Sequence, residues 1–136
     1  MKTIGSIEYE WVEPRFLSSS NEGELALEET GGLMDAIEAN VKDAPYFLWE
    51  VNVARLSGMT PATRKLCADR LRQLPDRAIA IVHAKFSQRI LVKLVLTAVS
   101  MLDRSQRNNA VSFFDDSDSA RAWLREYGAN YKAPQE

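Results

Sequence analysis

Cysteine and histidine are nearly missing from this chain, with one of each among 136 residues. The single cysteine, Cys67, excludes an internal disulfide and a zinc site built from several cysteines. The single histidine, His83, is not accompanied by a G-x-S-x-G segment, so the parts of a nucleophilic triad are missing. We therefore expect a protein that is not an enzyme. An uncharacterised hydrolase is the least favoured alternative. The scarcity of cysteine also fits a reducing compartment, and we expect the protein in the cytoplasm.

Strong charge and long apolar runs are also lacking. The formal net charge is −2 and no basic block stands out, so the electrostatic footprint of a nucleic-acid-binding protein is missing. Acidic residues interrupt the N-terminal stretch MKTIGSIEYEW where a signal peptide needs an apolar core. The most apolar stretch, residues 90–102, is too short to span a bilayer and contains Lys93. We expect neither nucleic-acid binding nor an integral membrane protein. No glycine-rich phosphate loop is found, and no cofactor is expected.

What the chain does have is the composition of an ordinary globular domain. Hydrophobic residues make up 46% and charged residues 26% of the sequence, which are near the averages for folded proteins. The length is that of one domain, so we assign residues 1–136 to a single domain. Within it, we expect residues 128–136 to form a frayed tail.

Strand-like and helix-like segments alternate along the chain. Two N-terminal segments, 6–11 and 14–18, are predicted to form a hairpin. The other predicted strands are apolar runs at residues 46–53, 78–83 and 111–114. The predicted helices span residues 26–41, 60–74, 87–102 and 116–127. The order β-β-α-β-α-β-α-β-α predicts an α/β fold with a mostly parallel sheet and an antiparallel N-terminal edge.

The segment VSFFDDSDSARAWL places two acids, Asp115 and Asp116, where a strand ends and a helix begins. Such a pair suits a metal or acid/base site, but it equally suits a helix N-terminus, where carboxylates satisfy free backbone N–H groups. No further ligands are evident in the sequence, so we interpret the acids as helix caps. Arg121 and Arg125 are then expected to face water, while Trp123 and Leu124 turn towards the sheet.

Three segments in this order, YFLWEVNVARLSGMTP, AIAIVH and VSFFDDSDSARAWL, give the chain a family resemblance. Residues 44–126 resemble the SpoIIAA-like family, small STAS-related domains grouped with the CRAL-TRIO lipid-exchange domains. The resemblance implies a SpoIIAA/STAS-like fold and no established enzymatic activity. The STAS domains that this family resembles include anti-sigma-factor antagonists. Those proteins carry a phosphorylatable serine at the start of the second helix. Here that loop reads LSGMTPATRK and does not reproduce the family motif. Its hydroxyls, Ser57 and Thr60, are the candidate regulatory residues.

Polar residues are expected at the carboxyl ends of the strands, where open α/β sheets bind ligands. The residues predicted to gather there are Arg55, Ser57, His83, Lys85, Asp115 and Asp116. In one interpretation they form a polar site, with Arg55 and Lys85 holding an anionic group. In the other they are solvated loop residues.

The third predicted helix is apolar around most of its circumference. An arc of about 140° is expected to face the core, and its members are Ile90, Leu91, Leu94, Val95, Ala98, Met101 and Leu102. A second apolar face, made of Val92, Leu96 and Val99, would then need a cover. The possible covers are a second copy of the chain, another protein, a lipid, or the N-terminal segment.

These features together favour a non-catalytic regulatory module of the STAS-like type. We expect it to bind a protein partner through Val92, Leu96, Val99 and the loop 57–60, and to form a homodimer. The alternative is a small-molecule or lipid-binding domain with an apolar cavity beneath the third helix and a mouth near Arg55, His83 and Lys85. A cavity above about 300 Å³ would favour this alternative.

Overall fold

A computed structural model describes residues 1–102 and 109–132 of the protein, with residues 98–102 and 109 described by their backbone alone. The elements within these residues are β1 (Lys2–Ile4), β2 (Ile7–Glu13), β3 (Phe16–Asn21), β4 (Gly23–Leu25), α1 (Leu27–Val41), β5 (Tyr46–Asn52), β6 (Leu56–Met59), α2 (Pro61–Arg72), β7 (Asp76–Val82), α3 (Phe86–Leu102), β8 (Asn109–Phe114) and α4 (Ser117–Asn130).

Six strands form one mixed sheet in the order β1-β2-β3-β5-β7-β8. The first three pair antiparallel, and β3, β5, β7 and β8 pair parallel. The predicted α/β class, parallel sheet and antiparallel N-terminal edge are thereby confirmed. The short strands β1, β4 and β6 were not predicted, and β4 and β6 form a separate two-stranded parallel ladder.

Helices cover both faces of the main sheet. On one face, α1, α2 and α3 pack against alternate residues of the strands, such as Trp49, Ile79 and Ile81. On the other face, α4 packs through Ala120 and Leu124 against Ala78, Ala80 and neighbouring residues. A parallel sheet with both faces covered needs strands that are apolar throughout, and every residue of β7 is buried.

Helices α2 and α4 begin at the capping residues that the sequence predicted, a threonine hydroxyl and an aspartate carboxylate. Thr60 accepts a hydrogen bond from the Thr63 backbone N–H at 3.2 Å, ahead of Pro61 at the first helical position. Asp116 accepts one from the Ser119 backbone N–H at 2.7 Å. This bond lowers the pKa of the Asp116 carboxyl. The interpretation of the second acid in FFDD as a helix cap is therefore correct.

Helix α1 approaches the sheet closely through a glycine. A Cβ at Gly32 would lie 3.3 Å from the Ile4 side chain of β1, so a larger residue would require that side chain to shift by a few tenths of an ångström. The Gly31-Gly32 pair lowers helix propensity, yet α1 is continuous from Leu27 to Val41. Tertiary packing outweighs the local preference here.

The C-terminal end of α4 differs from the prediction. The helix continues through Gly128 to Asn130 instead of ending near Tyr127. Gly128 lies against the ring of Tyr46, and its missing side chain allows that approach. The Tyr131 hydroxyl then donates a hydrogen bond to the Asp76 carboxylate at 2.6 Å and lies 3.1 Å from the Pro45 carbonyl oxygen. Residues 128–132 are thus part of the folded structure, whereas 133–136 lie outside the described residues.

Cys67 is buried in α2, and burial raises the pKa of its thiol to about 11 from 9.0. We expect 5,5′-dithiobis(2-nitrobenzoate) to modify the folded protein at pH 8 about 100-fold more slowly than the urea-unfolded chain, because the thiolate is the reacting form. The raised pKa also means that the native state loses stability as the pH rises from 9.0 towards about 11. Equal labelling rates in the two states would contradict the buried position.

Candidate functional site

Helix α3 is rotated about its axis relative to the prediction. Val92 is only 9% exposed and Leu96 is half-buried, and both point towards the sheet. Ile90 and Leu94, which were assigned to the core arc, are 45% and 47% exposed. The predicted interaction face of Val92 and Leu96 is therefore an inner face. Val99 belongs to α3, but its side chain lies outside the described residues.

The rotation has a specific polar cause at the start of the helix. The Gln88 side chain is buried and accepts a hydrogen bond from the Lys85 backbone N–H at 2.8 Å. Its amide donates to the Leu56 carbonyl of β6 at 3.2 Å. Because Gln88 faces inward, residues four and seven positions later, Val92 and Val95, also face inward. When a helix is apolar on most sides, its hydrophobic pattern does not indicate which side faces the core.

A row of apolar side chains consequently lies on the outside of α3. We call Phe86, Ile90 and Leu94 the outer row. Phe86 is 80% exposed, and the three residues follow one another at four-residue spacing. Such residues stand above one another on a helix surface. The outer row is therefore continuous along two turns of the helix.

The inner face of α3 lines an apolar cavity. The cavity measures about 120 Å³, and its walls include Val92, Val95, Leu96, Met34 and Trp49. The Trp49 indole N–H is satisfied by the Ser19 hydroxyl at 2.9 Å. Pockets that hold small organic ligands usually measure about 300 Å³ or more. The cavity is thus below the size that the ligand alternative requires.

The two candidate regulatory hydroxyls lie in different settings. Ser57 is exposed on β6. Thr60 uses its hydroxyl to cap α2 and lies 3.0 Å from the Thr63 hydroxyl. The segment 57–60 was expected to be a loop, but residues 57–59 belong to β6, which the Leu56–Gln88 hydrogen bond ties to the start of α3.

The predicted ligand mouth is spread over more than one groove. Arg55 lies in one groove and forms an exposed ion pair with Glu22 at 3.6 Å. His83 lines another, at the carboxyl end of β7, with a backbone φ of 63°. Lys85 is exposed at the start of α3 and lines neither. The structure does not bring Arg55, His83 and Lys85 together into one anion site.

A buried carboxylate that was not predicted from the sequence, Glu50, lines the same groove as His83. The Glu50 side chain is 5% exposed and pairs with Arg121 of α4 at 3.1 Å. It also accepts hydrogen bonds from the hydroxyls of Ser18 and Ser117. Arg121 was expected to face water, and it instead turns to the sheet because Glu50 needs a counter-charge there. The one available signal was an acid within the apolar run YFLWEVNV.

Glu50 and its partners line a polar groove of about 210 Å³ on the α4 side of the sheet. Hydrogen bonds from Ser18 of β3 and from Ser117 and Arg121 of α4 meet at Glu50 of β5, so the cluster holds α4 against these two strands. Among the described residues, no group of three or more histidine, cysteine, aspartate or glutamate residues is arranged to hold a metal ion. In the same part of the chain, no helix is long and apolar enough to cross a membrane.

The rotation of α3 is testable with a pair of substitutions. We expect Val92→Ser to lower the free energy of unfolding by about 2–3 kcal/mol, because it removes buried methyl groups and buries a hydroxyl. The matched control Leu94→Ser, on the outer row, should cost about 1 kcal/mol or less. Urea denaturation followed by circular dichroism measures both. Equal costs would contradict the orientation of the helix.

The Glu50 cluster makes a second prediction. Arg121→Ala should destabilise the protein by about 2–3 kcal/mol, because it leaves a buried carboxylate without its counter-charge. Arg125→Ala is the matched control, since Arg125 lies one turn further along α4 and pairs with the half-exposed Glu13. Its cost should stay below about 1 kcal/mol. Thermal unfolding of the wild-type protein and the two variants in one buffer measures the decrease in melting temperature for each substitution. Similar decreases for Arg121→Ala and Arg125→Ala would contradict a special role for Arg121.

Comparison with known proteins identifies the architecture. Neither a protein-family model nor a curated protein matches the sequence. The structure of the anti-sigma factor antagonist SpoIIAA in its unphosphorylated form is 16% identical, with a TM-score of 0.57, over 90% of this chain and 98% of that one. An uncharacterized DUF3478-family protein from Shewanella loihica PV-4 is 18% identical, with a TM-score of 0.60, over 87% of this chain and 91% of that one. The resemblance noted in the sequence is thereby confirmed at the level of architecture, and the chain has the SpoIIAA-like fold.

Proposed function

We propose that this protein is a non-catalytic regulatory module that binds a protein partner through the outer row of α3. The observation that carries the proposal is the exposure of Phe86, Ile90 and Leu94 on one continuous face. An exposed phenylalanine next to two half-exposed aliphatic residues costs solubility and contributes little to this domain's own core. Binding of a partner would bury these side chains, and such apolar anchors supply most of the affinity in helix-mediated interfaces.

The fold is compatible with this role. The SpoIIAA protein, which shares the architecture, is an anti-sigma factor antagonist. Fold alone does not assign a function, because one architecture supports many activities. The proposal for this chain therefore rests on its own exposed row, and the shared architecture adds a precedent for a regulatory domain.

The segment 57–60, at the end of β6, is the proposed regulatory element next to the outer row. Ser57 is exposed and lies on β6, whose Leu56 carbonyl binds Gln88 of α3. A phosphate at Ser57 would add negative charge beside the start of this helix. Thr60 is the weaker candidate of the two, because its hydroxyl already caps α2. We place the protein in the cytoplasm as part of the same proposal.

The small-molecule or lipid alternative receives less support. Its cavity of about 120 Å³ is far smaller than a lipid needs. A lipid would have to displace Val92 and Val95 from a packed core. A homodimer is retained as a proposal, but α3 is a poor place for it because the exposed cations of each copy would meet a helix that carries no acid between residues 84 and 102.

The proposed function can be tested with a photo-crosslinking amino acid, p-benzoylphenylalanine, introduced in place of Phe86 in the cells that produce the protein. We expect irradiation to yield a discrete adduct with another polypeptide. The matched control carries the same group in place of Ala122, which is exposed on α4 on the opposite side of the sheet, and should yield no such adduct. Ile90→Ser combined with Leu94→Ser should abolish the adduct from position 86.

Three outcomes would count against the proposed function. The first is an equal adduct from positions 86 and 122, and the second is no polypeptide adduct from position 86. The third is unfolding of the Ile90→Ser, Leu94→Ser variant, which would show that the outer row belongs to the core. Circular dichroism of the purified variant checks its folding.

A further inference from the structure

A row of cations runs parallel to the outer row on α3. Lys85, Arg89 and Lys93 are exposed, and each directly precedes one member of the outer row in the sequence. We call these three residues the basic row. Both rows have four-residue spacing, so both follow the helix axis for about 12 Å at 1.5 Å per residue. The two rows form a surface with an apolar half and a positively charged half.

No acid of the described residues pairs with the cations of this surface. Residues 84–102 contain no aspartate or glutamate. Within residues 1–102 and 109–132, none of the three cations forms an ion pair with a carboxylate. By contrast, Lys65, Arg70 and Arg72 of α2 are all paired with acids. The basic row is therefore locally positive on a chain of net charge −2.

The position of these cations is unfavourable for the isolated helix. The N-terminus of a helix carries a partial positive charge and favours acidic side chains. Helix α3 has no acid in its first turn, and Lys85 and Arg89 flank that turn instead. The guanidinium of Arg89 is held 4.8 Å from the ring centroid of Phe113, and its Nε donates to the Ala84 carbonyl at 3.3 Å. This cation is thus ordered before a partner arrives, which lowers the entropic cost of binding.

We infer that the partner presents an amphipathic α-helix with an acidic row beside its apolar row. This inference rests on the proposed function and specifies its partner. Ridges of residues spaced four apart pack into the grooves of a neighbouring helix. In that packing, apolar side chains of the partner would cover Phe86, Ile90 and Leu94, while carboxylates would meet the basic row. Opposite charges at the rim steer association and exclude partners of the wrong charge.

A second copy of this chain and a membrane surface fit the same rows less well. In a symmetric contact through α3, the basic row of each copy would lie against the α3 of the other copy. That helix carries no acid between residues 84 and 102, so the cations would find no counter-charge on it. Helices that lie on anionic membranes usually have cations along their polar face on either side of the apolar stripe. Here Ser87 and Leu91 follow on the other side, so the cations lie on one side only.

The test combines charge reversal with crosslinking from position 86. Lys85→Glu together with Lys93→Glu leaves the outer row intact, and we expect it to reduce the polypeptide adduct about 10-fold or more. The matched control is Lys42→Glu, an exposed lysine at the end of α1, which should leave the yield unchanged. Sequencing of the crosslinked segment should show a helical pattern with acids at three- or four-residue spacing.

The outcomes separate the inference from the proposed function. An adduct that survives charge reversal, or a crosslinked segment without acids, overturns the inference and leaves the proposed function standing. A segment from this same chain identifies a homodimer instead. The purified protein can also be sedimented with phosphatidylserine-containing vesicles. If it sediments with them and the Lys85→Glu, Lys93→Glu variant does not, the surface binds a membrane instead. Absence of any polypeptide adduct in the wild-type background overturns both.

Discussion

The complete burial of β7 is the constraint on which the rest of the structure depends. This strand lies between β5 and β8, and all seven of its residues are buried. Its side chains alternate between Ile79 and Ile81 on one face and Ala78 and Ala80 on the other. A strand buried on both faces requires helices on both sides. The alanines leave room for α4 to pack closely through Ala120 and Leu124, while the isoleucines meet the layer that contains α1, α2 and α3.

Covering one face with three helices leaves α3 at the side of that layer. Its inner residues, Val92 and Val95, complete the core, and Gln88 fixes the rotation through the Leu56 carbonyl. The remaining apolar residues of so hydrophobic a helix must then face outward. Helix α3 supplies a core face through Val92 and Val95, and it contains more apolar residues than that face needs. The surplus residues form the outer row. That surplus, next to cations that form no ion pair within residues 1–102 and 109–132, is the basis for the proposed interaction role.

Local chemistry explains which elements were predictable. Thr60 and Asp116 supply the capping oxygens of α2 and α4, so these two helices began where expected. The apolar run of β7 was recognisable by composition. Glu50 was overlooked because an acid inside an apolar strand is unusual, and only the fold shows that Ser18, Ser117 and Arg121 surround it. The continuation of α4 past Gly128 was equally hidden, because it depends on the distant ring of Tyr46.

The amino-acid sequence by itself determined the order of the major elements, the parallel sheet with its antiparallel edge, and the positions of the caps of α2 and α4. These depend on neighbours within a few residues or on the two-residue and 3.6-residue periods of strands and helices. The tertiary structure alone decided which side of α3 faces water, which arginine of α4 meets a buried acid, and how small the apolar cavity is. Those properties arise from contacts such as Gln88 with Leu56 and Arg121 with Glu50, which join residues far apart in the chain. A nearly uniform apolar helix has no periodic signal strong enough to replace such contacts.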